Sequence, residues 1–79
     1  MLVANTTKLY HIRTSMRPKV SQELVARHAN MSLGTYRRAE EGMNVTYGTA
    51  TSILNAINDL LTERGEDPVQ LDDLGLQLY

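Results

Sequence analysis

The chain of 79 residues carries a net charge of −1 at pH 7 and contains no cysteine. Its length predicts one domain with a small core, and the absence of cysteine excludes a disulfide framework or a thiolate metal site. No apolar run approaches the roughly 20 residues of a membrane span, and the N-terminus lacks the apolar segment of a signal peptide, so we expect a cytoplasmic protein.

The first predicted helix begins after Thr6 or Thr7, either of which can cap it through its hydroxyl group, and it runs to about residue 16. We expect residues 1–5, which precede it, to form a loose arm. Pro18 ends the helix because it lacks a backbone N–H donor and restricts the residue before it. Spacings of three and four residues predict one buried face, made of Leu9, Ile12 and Met16.

Residues 21–42 contain two more capped helices, predicted over residues 22–28 and 32–41 with Ser21 and Ser32 as N-caps. Asn30, in the short turn between them, tolerates a left-handed conformation. Gly42 can close the second helix. Two helices joined in this way form a helix-turn-helix, whose second helix can enter the DNA major groove. The side chains expected to face the core are Val25, Ala26, Ala29, Met31, Tyr36 and Ala39, although Tyr36 can alternatively serve as an exposed stacking residue.

A longer helix is predicted from Tyr47 to Arg64, capped by Thr46 and ended by Gly65. An alternative is a break into two pieces at Asn55 and Asn58. The apolar stripe that predicts this helix consists of Ala50, Ile53, Ile57 and Leu60.

The C-terminal segment, residues 66–79, contains a short predicted helix over residues 69–74, which Gly75 ends. Leu76, Leu78 and Tyr79 leave an apolar tail that is not expected to float in water. This tail either folds back on the core or packs against a second subunit, and we expect a role in dimerisation.

The middle of the chain resembles the helix-turn-helix of the Cro/C1-type (XRE family) transcriptional regulators, in register from residue 21 to residue 42 without a gap. The family usually has Gly in place of Asn30 and Val or Ile in place of Met31 and Tyr36. The matching residues are Ser21-Gln22-Glu23, Val25-Ala26, Asn30-Met31-Ser32, Thr35-Tyr36, Arg38-Ala39-Glu40 and Gly42. The resemblance implies an all-α, lambda-repressor-like bundle of four to five helices in a single domain over residues 1–79. It also implies a structural ion pair between Arg13 and Glu40.

By the same resemblance, helix 32–41 reads DNA bases in the major groove through Leu33, Gly34, Arg37 and Arg38. Gly34 departs from the family, which often has a reading side chain there, and it either permits close backbone approach or marks reduced reading. For Arg37 and Arg38 the alternative is solvated charge pairing with Glu40 and Glu41. The expected phosphate contacts are Arg17, Lys19, Gln22, Ser32, Thr35, Asn44 and Thr46.

The charge distribution agrees with a nucleic-acid partner, because residues 1–45 carry seven Lys and Arg against three Glu, whereas residues 46–79 carry one Arg against six Asp and Glu. A short chain can also divide its charges in this way by chance. We expect a sequence-specific regulator of transcription, acting as a repressor, that binds duplex DNA as a homodimer. The alternative is a protein-interaction module of the same fold, such as the antitoxin of a toxin–antitoxin pair, with the acidic half as its docking surface.

An enzyme is not expected, because the sequence has no Cys nucleophile, no HExxH motif and no Gly-rich phosphate loop. His11 and His28 lack the neighbouring residues that a metal or catalytic site needs. We therefore expect no cofactor, no metal, no small-molecule ligand and no membrane partner.

Overall fold

The computed structural model describes residues 7–79, so the expected arm over residues 1–5 and the alternative cap Thr6 lie outside the described residues. Within this range the chain is helical, with one isolated β-bridge between Val45 and Leu78. The helices are α1 (Lys8–Ser15), α2 (Gln22–His28), α3 (Leu33–Glu40), α4 (Tyr47–Glu63) and a 3₁₀ helix (Leu71–Leu74). The predicted all-α class is therefore confirmed.

A hydroxyl side chain caps the N-terminus of each of these α-helices. In each case its oxygen accepts a hydrogen bond from the backbone N–H three residues later. The four caps are Thr7, Ser21, Ser32 and Thr46. The helices consequently begin where the sequence predicts, and their ends agree within one or two residues. Asn30 and Gly42 have φ angles of 58° and 91°, the left-handed conformations expected at these two positions.

The core is built from every helix of the described range, and α4 contributes six of its buried side chains. Helix α2 packs on α3 and α4, and the 3₁₀ helix packs on α1 and α4. Tyr36 is fully buried, so the alternative of an exposed stacking residue is wrong. The largest fully buried side chains are Tyr36, Leu9, Ile53, Ile57, Leu60, Leu74 and Val25. Of the face predicted for α1, Ile12 is only partly buried.

Helix α4 continues through both asparagines, so the alternative of a break there is wrong. Asn58 instead uses its side-chain amide to hold the segment that follows the helix. Its Nδ2 donates to the carbonyl oxygen of Val69 at 3.0 Å, and its Oδ1 accepts from the Val69 N–H at 2.8 Å. Arg64 fixes the end of α4 to the α1–α2 connection by donating from Nε to the carbonyl oxygen of Pro18 at 3.0 Å.

The C-terminal tail folds back on the loop before α4. The Val45 N–H donates to the carbonyl oxygen of Gln77 at 2.8 Å, and the Tyr79 N–H donates to the carbonyl oxygen of Val45 at 3.1 Å. Leu76 packs against the core, whereas Leu78 and Tyr79 remain 41% and 86% exposed. The expected role of the tail in dimerisation stays a prediction.

Candidate nucleic-acid interface

Helices α2 and α3 are joined by a tight turn that fixes their mutual orientation. The Asn30 N–H donates to the carbonyl oxygen of Arg27 at 3.1 Å, and the Met31 N–H donates to that of Ala26 at 3.0 Å. Because Asn30 is left-handed, the chain leaves α2 at once and reaches the Ser32 cap of α3 two residues later. Helix α3 then buries Tyr36 and Ala39, and its opposite side faces solvent.

The outward face of α3 carries the two arginines expected to read bases. Gly34, Arg37, Arg38 and Glu41 are exposed. The two arginines lie three and four residues after Gly34, and Glu41 lies four and three residues after them, which places all four on one side of the helix. Leu33, the other expected reader, is partly exposed at the start of the helix.

Neither arginine is neutralised by a carboxylate within the described part of the chain. The ion pairs there join Arg13 to Glu40 and Arg64 to Glu63. The alternative in which Glu40 pairs with Arg37 or Arg38 is therefore wrong, because Glu40 is 4% exposed and turns toward α1. Glu41 is exposed and likewise forms no ion pair with them.

The carboxylate of Glu40 accepts four side-chain hydrogen bonds. Arg13 donates from Nε at 2.5 Å and from Nη2 at 3.1 Å, so the ion pair that the resemblance implies is present and bidentate. The Tyr36 hydroxyl donates at 2.5 Å, and Gln22 donates from Nε2 at 2.8 Å. Arg13 also donates from Nη1 to the carbonyl oxygen of Val20 at 3.0 Å. This cluster joins α1, α2 and α3 and sets the position of the last turn of α3 against the core.

The pKa values in this cluster follow from its hydrogen bonds and burial. Burial alone would raise the pKa of the Glu40 carboxyl, but the hydrogen bonds from Arg13, Tyr36 and Gln22 and the charge of Arg13 outweigh it and lower that pKa. The hydrogen bond to Glu40 raises the pKa of Arg13. Burial, together with the hydrogen bond to Glu40, raises the pKa of Tyr36. At neutral pH the cluster is an ionised pair with a neutral tyrosine.

Gln22, one of the expected phosphate contacts, is partly buried and takes part in this cluster. Its Nε2 is bound to Glu40, and its Oε1 accepts a hydrogen bond from Arg37 Nε at 3.2 Å. The structure therefore joins an expected phosphate contact, Gln22, directly to an expected base reader, Arg37. Neither this contact nor the hydrogen bond between Tyr36 and Glu40 was predicted from the sequence. The spacing of four residues between Tyr36 and Glu40 is the signal that could have revealed the second.

Of the remaining hydroxyl candidates for phosphate contact, Ser32 and Thr46 are helix N-caps, and Thr35 is the hydrogen-bond partner of Ser32. Ser32 accepts from the Thr35 N–H and donates to Thr35 Oγ1 at 2.9 Å. Thr46 accepts from the Thr49 N–H and donates to Thr49 Oγ1 at 3.0 Å. Asn44 is exposed two residues before Thr46.

Arg17 and Lys19 lie in the α1–α2 connection and line a surface recess of about 270 Å³ together with Arg13. Arg17 donates from Nη1 to the carbonyl oxygens of Thr14 and Met16, at 2.8 Å each. Arg17 and Lys19 therefore lie together at one recess. Asn44 and Thr46 belong to a different segment, the loop before α4.

The described residues contain no group of three or more His, Cys, Asp or Glu side chains that could hold a metal ion. His28 is exposed, and its Nδ1 lies 3.1 Å from the carbonyl oxygen of Leu24. Within residues 7–79, no helix is both long and apolar enough to cross a membrane.

Comparisons of the chain with protein-family models, with curated proteins and with solved structures found no match. The likeness to the Cro/C1-type regulators therefore rests on the residues named above.

Proposed function

We propose that this protein is a DNA-binding regulator of transcription, acting as a repressor, whose helix α3 enters the major groove of duplex DNA. The outward face of α3 is the observation that carries the proposal. Arg37 and Arg38 are exposed there without a carboxylate partner among residues 7–79. An arginine guanidinium can donate two hydrogen bonds to guanine O6 and N7, the commonest specific contact in the major groove.

Rigid attachment of α3 supports this proposal. The opposite side of the helix is held by the fully buried Tyr36 and Ala39 and by the four hydrogen bonds on Glu40. A reading helix has to present its side chains at fixed positions, because a site that is loosely supported loses both affinity and specificity. The Ser32 cap at the N-terminus of α3 serves the same purpose.

The phosphate contacts proposed around α3 come from two exposed regions. Arg17 and Lys19 lie before α2, and Asn44 and Thr46 lie before α4. Phosphate contacts supply affinity and register without sequence information. One domain of this size makes few such contacts, so we propose that it binds as a homodimer, with two α3 helices about 34 Å apart on an inverted repeat.

The test is a binding selection from a random duplex library at about 0.1 M salt. Enrichment of two inverted half-sites about one helical turn apart is the expected result. Weak binding that disappears as salt is raised, with no enriched sequence, would leave only backbone contact and would refute sequence-specific reading.

Charge-conserving variants separate base reading from attraction to phosphates. Arg38→Lys retains the positive charge but lacks the planar fork of donors. We therefore expect Arg38→Lys to bind non-specific duplex DNA like the parent and to lose preference for the enriched half-site. A variant that keeps the full preference would show that Arg38 does not read a base.

A protein-interaction module is the second candidate function, and an exposed apolar patch favours it. The large apolar side chains that are exposed in the described chain are Met43, Tyr47, Leu78 and Tyr79. All lie within two residues, along the chain, of the Val45–Leu78 bridge, which brings the two segments together, and exposed apolar surface is typical of interaction sites. Co-purification with the product of a neighbouring gene, abolished by Tyr47→Ser with Leu78→Ser, would support an antitoxin-like role. Retention of the partner by this double variant would refute that surface.

A further inference from the structure

Gln22 connects the buried ion pair to the exposed face of α3. It is the first residue of α2 and is partly buried. Its amide lies between Glu40, at 2.8 Å from Nε2, and Arg37, at 3.2 Å from Oε1. A continuous series of hydrogen bonds therefore runs from Arg13 through Glu40 and Gln22 to Arg37.

The two neighbours of Gln22 allow its amide only one orientation. The ionised carboxylate of Glu40 can only accept hydrogen bonds, so it requires the NH₂ end of the amide. The guanidinium of Arg37 can only donate, so it requires the carbonyl end. Glu40 is itself held by two hydrogen bonds from Arg13 and one from Tyr36. The Oε1 of Gln22 is consequently a fixed acceptor beside α3.

This fixed acceptor decides which donors of Arg37 remain free. A guanidinium carries five N–H donors, one on Nε and four on the two terminal nitrogens. Because the Nε–H of Arg37 is bound to Gln22, it is not free for a side-on contact with a base. The N–H groups of Nη1 and Nη2 remain available for an end-on contact. Arg38, the next residue on the same exposed face, makes no side-chain hydrogen bond within residues 7–79, and it provides a natural comparison.

We infer that Gln22 is a positioning residue that holds Arg37 so that its two terminal nitrogens contact one guanine end-on in the major groove. The inference rests on the proposed function. It adds to that function the residue that orients Arg37 and the end-on geometry by which Arg37 contacts guanine. Holding the side chain in place before binding removes part of the ordering cost that a free arginine incurs. Arg37 thereby gains selectivity that an untethered arginine on the same face lacks.

The test uses Gln22→Met, which keeps the length of the side chain and removes both hydrogen bonds. Affinities are measured on the duplex enriched from the library and on duplexes with each guanine of a half-site replaced in turn by adenine. The base pair at which Arg37→Ala abolishes discrimination identifies the contact of Arg37. In the parent we expect the replacement at that pair to weaken binding about tenfold or more. The ratio of the affinities for the guanine and adenine duplexes should fall at least about threefold in Gln22→Met, at that base pair alone. In a variant that already carries Arg37→Ala, Gln22→Met should not change the ratio there any further.

Arg38 supplies the matched control, because its own contact should be unaffected by Gln22. Discrimination at the base pair identified by Arg38→Ala should be the same in Gln22→Met and in the parent. An equal loss of affinity on every duplex would indicate a merely structural role for Gln22 and overturn the inference. Unchanged discrimination at the Arg37 base pair would overturn it as well.

A measurement on the free parent protein keeps the test independent of how well Gln22→Met folds. In a ¹H–¹⁵N spectrum, the Nε–H of Arg37 should exchange with water more slowly than that of Arg38. Equal exchange of the two groups would show that the tether is absent and would refute the inference even if the protein binds DNA. If the parent binds no duplex at all, the proposed function is refuted. Slow exchange of the Arg37 Nε–H would then show that the hydrogen bond to Gln22 exists but has only a structural role, which would also refute the inference.

Discussion

Replacing Glu40 by alanine tests the buried cluster that joins α1, α2 and α3. The side chain of Glu40 is 3% exposed and that of its partner Arg13 is 12% exposed. Glu40→Ala leaves the Arg13 guanidinium without its counter-ion and removes the acceptor of the Tyr36 hydroxyl and the Gln22 amide. Removal of one partner leaves a charge with little access to water, which costs more than the net worth of the intact pair.

The expected loss is about 3 kcal/mol, the lower end of the range for breaking a buried ion pair. The lower end applies because Arg13 keeps its hydrogen bond to the Val20 carbonyl and has some contact with water. At roughly 0.05–0.15 kcal/mol per residue, a domain of this size has a free energy of unfolding of about 4–12 kcal/mol. The variant should therefore lose a large fraction of its stability and melt roughly 12–24 °C below the parent.

Urea unfolding followed by circular dichroism measures this loss, provided that the slope m stays unchanged. Glu41→Ala is the matched control, since Glu41 is the next residue, is exposed and forms no ion pair within the described residues. We expect this control to stay within about 0.5 kcal/mol of the parent. Equal melting temperatures for Glu40→Ala and the parent would refute the conclusion that the Glu40 cluster stabilises the fold.

Three further outcomes are expected. Because folding lowers the pKa of Glu40 from its ordinary value of 4.5, the stabilisation from this carboxylate is complete above that pH and is lost as the pH falls through the lower folded value. The difference in melting temperature between the parent and Glu40→Gln should therefore be constant from about pH 5 to 7 and shrink in acid, and a difference that grows in acid would contradict the sign. Arg38→Ala should weaken DNA binding and leave the urea midpoint unchanged, because its exposed side chain has no ion pair within residues 7–79 to lose. Gly34→Ala should raise the free energy of unfolding by up to about 1 kcal/mol, since the added Cβ meets nothing within 4 Å beyond its chain neighbours and the backbone of its own helix. An unchanged or lower urea midpoint would contradict this.

The local signals in the sequence were sufficient for the helices and their boundaries. The hydroxyl caps Ser21, Ser32 and Thr46 act within three residues of their own position, so neighbouring sequence alone identifies them. For α1 the sequence left Thr6 and Thr7 as alternatives, and Thr7 is the cap. The left-handed positions Asn30 and Gly42 are local in the same sense. The apolar spacing along α4 predicted its buried face for the same reason, because the period of a helix converts sequence spacing into direction.

Contacts between residues that are distant along the chain could not be predicted from local sequence. The resemblance supplied the Arg13–Glu40 pair, but no spacing predicts that Gln22 bridges Glu40 and Arg37, which lie 18 and 15 residues further along the chain. The contact of Asn58 with Val69 was not predicted for the same reason, because Val69 lies 11 residues away. A polar residue such as Asn58 weakens the apolar pattern by which a helix is predicted. Its hydrogen bonds in the folded protein depend on a backbone group that only the packing of the chain brings near.

The sequence by itself determined where the helices lie, which of their faces are apolar and which exposed cations stand on α3. Only the tertiary structure decided that Arg37 is tethered, that Gln22 is bound at both ends and that the C-terminal tail pairs with Val45. The physical reason is the range of the interactions. Caps, turns and helical periodicity are set by neighbours along the chain, whereas a side-chain hydrogen bond forms between any two groups that the folded core brings within about 3 Å.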